Sequence, residues 1–243
     1  MKYFLFLDYD GTLTPIVKKP GLATLSRSRR AFLKKLRKAS YIVTAIISGR
    51  MLSDLKQRVG IGGLYYVGNH GFEIEGPGIR ITHPKALQAK PILREIKTKL
   101  KKSFQKIKGV IIEDKILTLS LHYRLVQAKD FRIIKRVFPG IVRPYLKTKK
   151  IRLTHGKKVF EIRPNINWNK GRAVLWFLKK LKAKKKDLPI YIGDDTTDED
   201  AFRLLKKRGL TIRVGRAKRT CAKYYLKDVD GVYKFLKFLA LEF

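Results

Sequence analysis

The sequence predicts an α/β fold in which a doubly wound parallel sheet forms a core and an α+β domain is inserted into it. Short, almost entirely apolar runs at 3–7, 42–47 and 188–192 are typical of strands buried on both faces of a parallel sheet. Segments with helical apolar spacing alternate with these runs, as right-handed βαβ crossovers require. Between residues 85 and 163 the pattern changes to longer helices and strands of alternating polarity, which indicates an insertion.

The first part of the core follows from this pattern element by element. Leu25, Phe32, Leu33 and Leu36 recur among basic residues, which predicts a helix. A Gly-Pro-Gly sequence at 76–78 lies between two strand-like segments and predicts a hairpin. In order, we predict a strand at 3–7, a helix at 25–38, a strand at 42–47, a helix at 51–59, a strand at 64–67 and hairpin strands at 72–75 and 79–82.

The inserted domain is predicted at residues 85–163, with hinges near Pro84 and Pro164. Apolar and polar residues alternate from 117 to 123, which is typical of a strand with one buried face. In order, we predict a helix at 91–107, strands at 110–113 and 117–123, a helix near 128–137 and strands at 151–154 and 159–162.

The core pattern resumes after the insertion, so residues 164–243 join residues 1–84 in one domain. A buried strand at 188–192 ends directly before Gly193 and Asp194. In order, we predict a helix at 170–181, a strand at 188–192, a helix at 198–206, strands at 210–214 and 224–226 and a helix at 228–241.

The chain is strongly basic, with 57 Lys and Arg against 19 Asp and Glu and a net charge of +38. Residues 84–163 hold 23 of the basic residues and 5 of the acidic ones, so this third is about twice as basic per residue as the rest. Such a field attracts nucleic acid and other polyanions. A lysine-coated surface, as in heat-adapted proteins, is the favoured interpretation, because no nucleic-acid-binding motif accompanies the lysines.

Cysteine content and hydropathy exclude several classes of protein. The single cysteine, Cys221, excludes an internal disulfide and a cysteine-rich zinc site. The five apolar residues before Asp8 are too few for a signal peptide, and no apolar run reaches the length of a membrane span. We therefore expect a soluble, cytoplasmic protein without membrane contacts, and a monomer is favoured.

Acidic residues cluster in two places despite the basic composition. Asp8 and Asp10 follow the first strand, and five of the 19 acidic residues lie within 194–200. Ligand sites of open α/β sheets gather beyond the carboxyl ends of the strands, so we expect Asp8 and Asp194 to meet there. Crowded carboxylates need a cation or a shared proton, and carboxylates together with phosphate oxygens suit Mg²⁺. The pattern predicts a magnesium-dependent phosphoryl-transfer site in which one aspartate attacks phosphorus and another moves protons.

Two further segments fit such a site. Ser48-Gly49-Arg50 follows a buried strand, where a hydroxyl and backbone N–H groups could hold phosphoryl oxygens, although Ser-Gly is also common in turns. Lys170 opens a predicted helix, a position that the helix dipole disfavours for a cation unless an anion lies beside it. Taken by itself, Lys170 would be read as one more solvated lysine.

Four motifs carry a resemblance to a known family: FLDYDGTLTPI, SGR, the lysine of NWNKG, and IGDDTTDEDAF. They resemble the motifs of the haloacid dehalogenase superfamily of phosphatases. More narrowly, the stretches at 68–75, 110–124, 159–171 and 194–202 resemble trehalose-6-phosphate phosphatases, in family order. The resemblance implies a Rossmann-like core with a C2-type cap inserted between the second and third motifs.

The resemblance also implies roles for the site residues. Asp8 would be the nucleophile, and Asp10 the general acid for the sugar and then the base for water. Mg²⁺ would lie between Asp8, the backbone carbonyl of Asp10 and Asp194. Asp198 would bind Mg²⁺ through water or orient Lys170, and Lys170 would hold the phosphoryl group together with the hydroxyl of the SGR motif.

Sugar recognition is expected from the cap and from a nearby loop. The resemblance implies that His70, Lys115 and Glu161 bond sugar hydroxyls, with Arg124 and Arg50 as weaker candidates. We therefore predict a Mg²⁺-dependent sugar-phosphate phosphatase that acts on trehalose 6-phosphate.

Two alternatives stay open. The first is a phosphatase for mannosyl- or glucosyl-3-phosphoglycerate. The second, from a different class, is a polyanion- or nucleic-acid-binding protein that keeps a phosphatase scaffold, although nucleic acid is not the favoured partner.

Overall fold

The computed structural model describes residues 1–17 and 20–241 and divides the chain into two compact units. The core unit comprises Met1–Ile81 and Trp168–Phe243, and the inserted unit comprises Thr82–Asn167. The sequence interval 85–163, which we predicted as the insertion, lies within the inserted unit.

Strands and helices alternate through the core unit, as the apolar pattern predicts. The described strands are β1 (Tyr3–Asp8), β2 (Ile42–Ile47), β3 (Tyr65–Gly68), β4 (Glu73–Gly76), β5 (Ile79–Thr82), β6 (Ile111–Asp114), β7 (Leu119–His122), β8 (Ile151–Gly156), β9 (Val159–Pro164), β10 (Leu188–Gly193), β11 (Leu210–Val214) and β12 (Tyr224–Leu226). The described α-helices are α1 (Arg27–Lys38), α2 (Leu52–Val59), α3 (Pro84–Leu87), α4 (Lys90–Phe104), α5 (Ala128–Lys147), α6 (Lys170–Lys180), α7 (Glu199–Leu205) and α8 (Val229–Leu241).

The core sheet runs in the order β12-β11-β10-β1-β2-β3-β4-β5, and its strands from β12 to β3 are parallel. Strand β1 lies in the middle and is buried along its whole length, because helices cover both faces. Tyr3, Leu5 and Leu7 pack with α1, α2 and α8, whereas Phe4 and Phe6 pack with α6 and α7. The doubly wound α/β core is thereby confirmed.

The inserted unit has an antiparallel sheet in the order β6-β7-β9-β8. Leu119, Leu121 and Ile162 face α4 and α5 and form a second apolar core with them. Residues of opposite parity on the same strands, among them Ser120 and Glu161, lie on the other face of the sheet. One face of this sheet is therefore apolar and covered by helices, and the other carries polar side chains.

The helix that we predicted near 128–137 ends ten residues later, at Lys147, so the predicted end is wrong. Pro139 is disfavoured inside a helix because it has no N–H group to donate, which is why the prediction stopped before it. Its ring lies on the exposed face, while Ile134, Phe138 and Val142 keep a continuous buried stripe. The burial of this stripe maintains the helix across the proline.

Candidate active site

Three neighbouring strand ends bring the acidic motifs together. Strand β1 pairs in parallel with β2 and with β10, and the register sets Asp8 beside Ile47 and Leu7 beside Ile192. The residues that follow these strands, Ser48 and Asp194, therefore leave the sheet at the same edge as Asp8. This is the crevice position in which open α/β sheets hold ligands.

Lys170 lies between two buried carboxylates. Its Nζ donates to Asp8 Oδ1 at 2.7 Å and to Asp198 Oδ1 at 2.8 Å, and its side chain is 3% exposed. Asp198 Oδ1 also accepts from the hydroxyl of Tyr191 at 2.7 Å, and Oδ2 accepts from the backbone N–H of Asp195 at 2.9 Å. These contacts fix Asp198, which in turn fixes the ammonium group beside Asp8.

A tight turn at residues 9–14 delivers the acidic pair to this edge. The N–H groups of Leu13 and Thr14 both donate to the Tyr9 carbonyl at 3.0 Å. Gly11 has φ +91°, and a Cβ on it would lie 2.3 Å from Asp194 Oδ2. Only glycine satisfies both the left-handed backbone and this close approach of the two strand ends.

Asp8, Asp194 and Asp198 could hold a metal ion. All three are buried, and each offers one carboxylate oxygen that lies within 4.8 Å of the other two. We call these aspartates together with Lys170 the Asp8 cluster. When all of its groups are ionised, three carboxylates and one ammonium group leave two net negative charges, which a divalent cation would neutralise.

Burial raises the pKa of Asp8 well above its ordinary value. The charge of Lys170 opposes this shift, and the charges of Asp198 and Asp194 add to it. Burial also acts to lower the pKa of Lys170, but the charges of Asp198 and Asp8 raise it above its ordinary value. A hard cation with oxygen ligands fits this donor set.

The other acids of the 194–200 segment have structural contacts. Asp195 caps the turn that follows β10 in a reciprocal pair with Asp198. Glu199 accepts from Arg213 at 2.9 Å and from the backbone N–H of Cys221 at 2.7 Å. Asp200 forms an exposed pair on α7 itself. Two of the five acids thus belong to the Asp8 cluster, Asp195 and Glu199 hold the turn and the neighbouring loop, and Asp200 pairs within its own helix.

Asp10 pairs with Arg50, whereas Asp8 pairs with Lys170. The Arg50 guanidinium donates from Nε to Asp10 Oδ2 at 2.7 Å and from a terminal nitrogen to Oδ1 at 2.6 Å. Its other terminal nitrogen donates to Asp54 at 2.9 Å. The predicted substrate ligand Arg50 is therefore engaged within the core unit by two carboxylates.

Ser48 and His70 lie on two loops that hydrogen-bond to each other. The N–H of His70 donates to the Ser48 carbonyl at 3.0 Å, and the N–H of Asn69 donates to the Arg50 carbonyl at 2.7 Å. The hydroxyl of Ser48 accepts from the backbone N–H of Arg50 at 3.1 Å. A Cβ on Gly49 would lie 2.3 Å from the His70 ring, so the two predicted ligands are close together.

The polar face of the inserted sheet holds a second ionic group, which we call the Glu161 cluster. Lys115 Nζ donates to Glu161 Oε1 at 2.9 Å, and Arg163 Nε donates to Oε2 at 2.7 Å. Glu113 lies 3.9 Å from Lys115 and 2.8 Å from the His122 ring nitrogen. Glu113, Lys115, Glu161 and Arg163 thus form a network with two carboxylates and two cations.

Sequence reasoning did not assign two members of this network, Glu113 and Arg163, to the site. It did not single out Glu113, although the Glu-x-Lys spacing on β6 and the alternation on β7 could have indicated it. Arg163, next to the hinge predicted near Pro164, was not among the predicted ligands, yet it is buried against Glu161. The predicted ligand Arg124 is exposed and donates to the Lys157 carbonyl at 2.8 Å, outside this network.

The amino-acid sequence is similar to those of trehalose-phosphate phosphatases. A sequence model of the trehalose-phosphatase family matches residues 6–230. Probable trehalose-phosphate phosphatase D of Arabidopsis thaliana is 40% identical over 247 residues, which cover 96% of this chain and 66% of that protein. Trehalose 6-phosphate phosphatase RA3 of Zea mays is 37% identical over 254 residues, which cover 97% and 69%. The chain thus spans about two thirds of the length of these plant relatives.

Solved structures share the fold. The C-terminal domain of Candida albicans trehalose-6-phosphate phosphatase has a TM-score of 0.83 and 25% identity, with 100% of this chain and 93% of that chain covered. A crystal structure of trehalose-6-phosphate phosphatase from Aspergillus fumigatus has a TM-score of 0.65 and 27% identity, with 100% and 93% covered.

Proposed function

The chain belongs to the trehalose-phosphatase family, and we propose that it is a magnesium-dependent phosphatase that hydrolyses trehalose 6-phosphate. The observation that carries the chemistry is the Asp8 cluster, in which a buried carboxylate at a strand end lies beside a fixed lysine and two further carboxylates. Such an arrangement suits phosphoryl transfer, where positioning and charge neutralisation supply most of the catalysis.

We propose that the reaction proceeds in two displacements. A carboxylate oxygen of Asp8 forms a bond to phosphorus while the bond from phosphorus to the sugar oxygen breaks, and Asp10 gives that oxygen a proton. Water then bonds to phosphorus, its proton passes to Asp10, and the Asp8 carboxylate and inorganic phosphate are released. Lys170 and the Ser48 hydroxyl hold the phosphoryl oxygens in both steps.

The metal is proposed to bind Asp8, Asp194 and the backbone carbonyl of Asp10. A bound Mg²⁺ neutralises the crowded carboxylates and the phosphate dianion, so that a negatively charged nucleophile can approach. Asp198 accepts three hydrogen bonds on its two oxygens, from Lys170, Tyr191 and Asp195, so its proposed role is to orient Lys170.

Recognition of the sugar is assigned to hydrogen-bonding groups in both units. In the core unit, the proposed ligand is His70, which is buried beside the Ser48 loop. In the inserted unit, the Glu161 cluster offers ionised donors and acceptors, which bond neutral hydroxyls strongly. Lys115 and Glu161 are the proposed ligands there, and Arg124 remains a weaker candidate because of its exposure.

A phosphate-release panel tests the proposal. Trehalose 6-phosphate, mannosyl-3-phosphoglycerate, glucosyl-3-phosphoglycerate and sucrose 6-phosphate are supplied at equal concentration, with and without Mg²⁺. We expect trehalose 6-phosphate to have the highest kcat/KM and activity to require the ion. A phosphoglycerate conjugate that is turned over at least about tenfold better would reject the proposed substrate, because a tenfold ratio is 1.4 kcal/mol of selective transition-state binding.

The remaining predictions concern location and assembly. No helix among residues 1–17 and 20–241 combines the length and the apolar character that crossing a bilayer requires. A cytoplasmic location and a monomeric state stay predictions. Binding of DNA at physiological salt with micromolar affinity would support the polyanion alternative.

A further inference from the structure

A chain of ion pairs runs from Asp10 along one side of helix α2. Arg50 contacts both carboxylate oxygens of Asp10 and one oxygen of Asp54. Arg58, one turn further along α2, donates from Nε to both oxygens of Asp54 at 2.8 and 2.9 Å. A terminal nitrogen of Arg58 donates to the Gly21 and Ala23 carbonyls at 3.0 and 3.2 Å, on the segment that follows β1. These ion pairs therefore join α2 to Asp10 in the turn after β1 and to the segment that follows this turn.

The guanidinium group of Arg50 has little freedom to move. Its side chain is 8% exposed, whereas that of Asp10 is 38% exposed. Its central carbon lies 5.5 Å from the centre of the Tyr9 ring, and the Tyr9 hydroxyl donates to the Ala23 carbonyl at 3.1 Å. A planar guanidinium group that hydrogen-bonds to both oxygens of a carboxylate fixes the position and the plane of that carboxylate. The ammonium group of a lysine cannot fix the plane in this way.

The hydrogen bonds of this pair leave Asp10 able to react. An ionised carboxylate offers about four lone-pair positions, and Arg50 occupies one on each oxygen. The side chain of Asp10 is 38% exposed, so the remaining positions can accept a proton. Arg50 thus fixes the Asp10 carboxylate by two hydrogen bonds, while the side chain of Asp10 stays partly exposed to solvent.

We propose that Arg50 is a positioning residue that holds the Asp10 carboxylate for the second displacement, in which Asp10 takes the proton of the attacking water. Asp54 and Arg58 hold Arg50 in turn. The inference rests on the proposed function, since it assigns a part in the same reaction. It replaces our sequence-based assignment of Arg50 as a weaker sugar ligand.

Hydrolysis of p-nitrophenyl phosphate by the Arg50→Gln variant distinguishes a role of Arg50 in positioning Asp10 from a role in maintaining the fold. The nitrophenolate leaves without a proton, so kcat/KM reports attack by Asp8 and needs no acid. Hydrolysis of the phosphorylated Asp8 still needs the base, so we expect this step to limit kcat in the variant. We expect kcat to fall by about 10²-fold, as for loss of a positioned base, with kcat/KM within about threefold of the parent. A burst of nitrophenol equal to the enzyme concentration should precede the slow phase.

Three further variants and one control variant test the role of Arg50 more closely. Arg50→Lys should recover little of the kcat, and guanidinium ion added to Arg50→Gly should recover part of it. Asp54→Asn, which leaves the Arg50–Asp10 pair in place, should show the same pattern with a loss below about tenfold. Lys56→Gln is the matched control, because Lys56 lies on the same helix and pairs with Glu75 instead; both constants should be unchanged.

Two outcomes would overturn the positioning role of Arg50, and a third would overturn the proposed function. A parallel fall of kcat and kcat/KM in Arg50→Gln without a burst would mean a loss of active enzyme and would overturn the positioning role. Unchanged constants would overturn it as well. A parent enzyme that hydrolyses neither the nitrophenyl ester nor any sugar phosphate would instead overturn the proposed function, and the inference with it.

Discussion

The Asp8 cluster is a buried ionic network and the Glu161 cluster is a largely buried one, in which only Glu113 is partly exposed, but the two differ in charge balance. In the Asp8 cluster three carboxylates share one lysine, whereas in the Glu161 cluster Glu113 and Glu161 face Lys115 and Arg163. An excess of buried negative charge is unfavourable unless a cation or a proton joins it. A balanced network needs neither and can offer its remaining donors and acceptors to a neutral molecule.

This difference separates two kinds of ligand. The Asp8 cluster suits a divalent cation with a phosphate group, and the Glu161 cluster suits a ligand rich in hydroxyls. The proposed function assigns the phosphate group of the substrate to the first cluster and the sugar hydroxyls to the second. The comparison would break if a change in one cluster produced the effect expected of the other.

The largest effect should come from Asp8→Asn. This change removes the nucleophile and keeps the shape of the side chain, so we expect phosphate release to fall by at least about 10⁴-fold. The fold should persist, because burial raises the pKa of Asp8 despite the charge of Lys170, so a neutral side chain is tolerated there in the absence of metal. Phosphate release and a thermal melt without added metal provide the measurements. Residual activity above about 1% of the parent's would place the nucleophile elsewhere.

Lys170→Met should reduce both activity and stability. The change leaves Asp8 and Asp198 buried without the cation that both contact, and such a break typically costs about 3–5 kcal/mol of folding free energy. We expect kcat to fall by about 10²-fold or more, because a positioned charge on the phosphoryl oxygens is lost. Urea unfolding with and without Mg²⁺ measures the stability, and added Mg²⁺ should recover more of it in the variant than in the parent.

The control for this variant is Lys97→Met, which removes a lysine from a half-exposed pair with Asp114 in the inserted unit. Pairs of this kind contribute about 1 kcal/mol or less. Equal losses in the two lysine variants would contradict the special position of Lys170.

The core site was predictable because its geometry follows from the backbone. Strands β1, β2 and β10 are buried apolar runs, and parallel pairing brings whatever follows them to one edge. Asp8, Ser48 and Asp194 could therefore be placed together before any side-chain contact was known.

The partners of individual side chains were not predictable in the same way. Arg50 and Asp10 are 40 positions apart, and their pairing depends on how α2 packs against the turn after β1. The residue pattern singled out only Asp194 among the five acids at 194–200, and the family resemblance added Asp198. Tertiary contacts to Lys170 and Arg213 divide the segment between the site and the scaffold. Burial on the helix face likewise decided whether Pro139 ended α5.

Glu161→Gln should alter substrate recognition and leave the chemical steps in place. The change leaves Lys115 and Arg163 facing a neutral amide, so the balance of the network is lost. We expect kcat/KM for trehalose 6-phosphate to fall by about 10- to 100-fold, while kcat/KM for p-nitrophenyl phosphate, which has no sugar, stays within about threefold. Thr154→Val, whose hydroxyl bonds the Glu161 backbone carbonyl, serves as the control in the same sheet. If kcat/KM fell equally for the two substrates, the proposed assignment of the sugar to the Glu161 cluster and of the phosphate group to the Asp8 cluster would be wrong.

The smallest expected effect is the pH dependence of metal binding. Because the pKa of Asp8 is raised in the folded, metal-free protein, Asp8 keeps its proton at a pH where an ordinary aspartate has lost it. The metal-free protein should therefore lose stability as pH rises from the ordinary aspartate range through this raised pKa, since the folded state binds the additional proton. Bound Mg²⁺ displaces that proton, so its apparent affinity should rise with pH by up to about tenfold per unit and level off above the raised pKa.

Calorimetric titration of Mg²⁺ in two buffers of different ionisation enthalpy measures both the affinity and the released proton. Asp8→Asn should bind Mg²⁺ more weakly and without this slope. A parent affinity that is independent of pH across the same range would mean that the excess charge of the Asp8 cluster is already compensated, and the contrast with the Glu161 cluster would disappear.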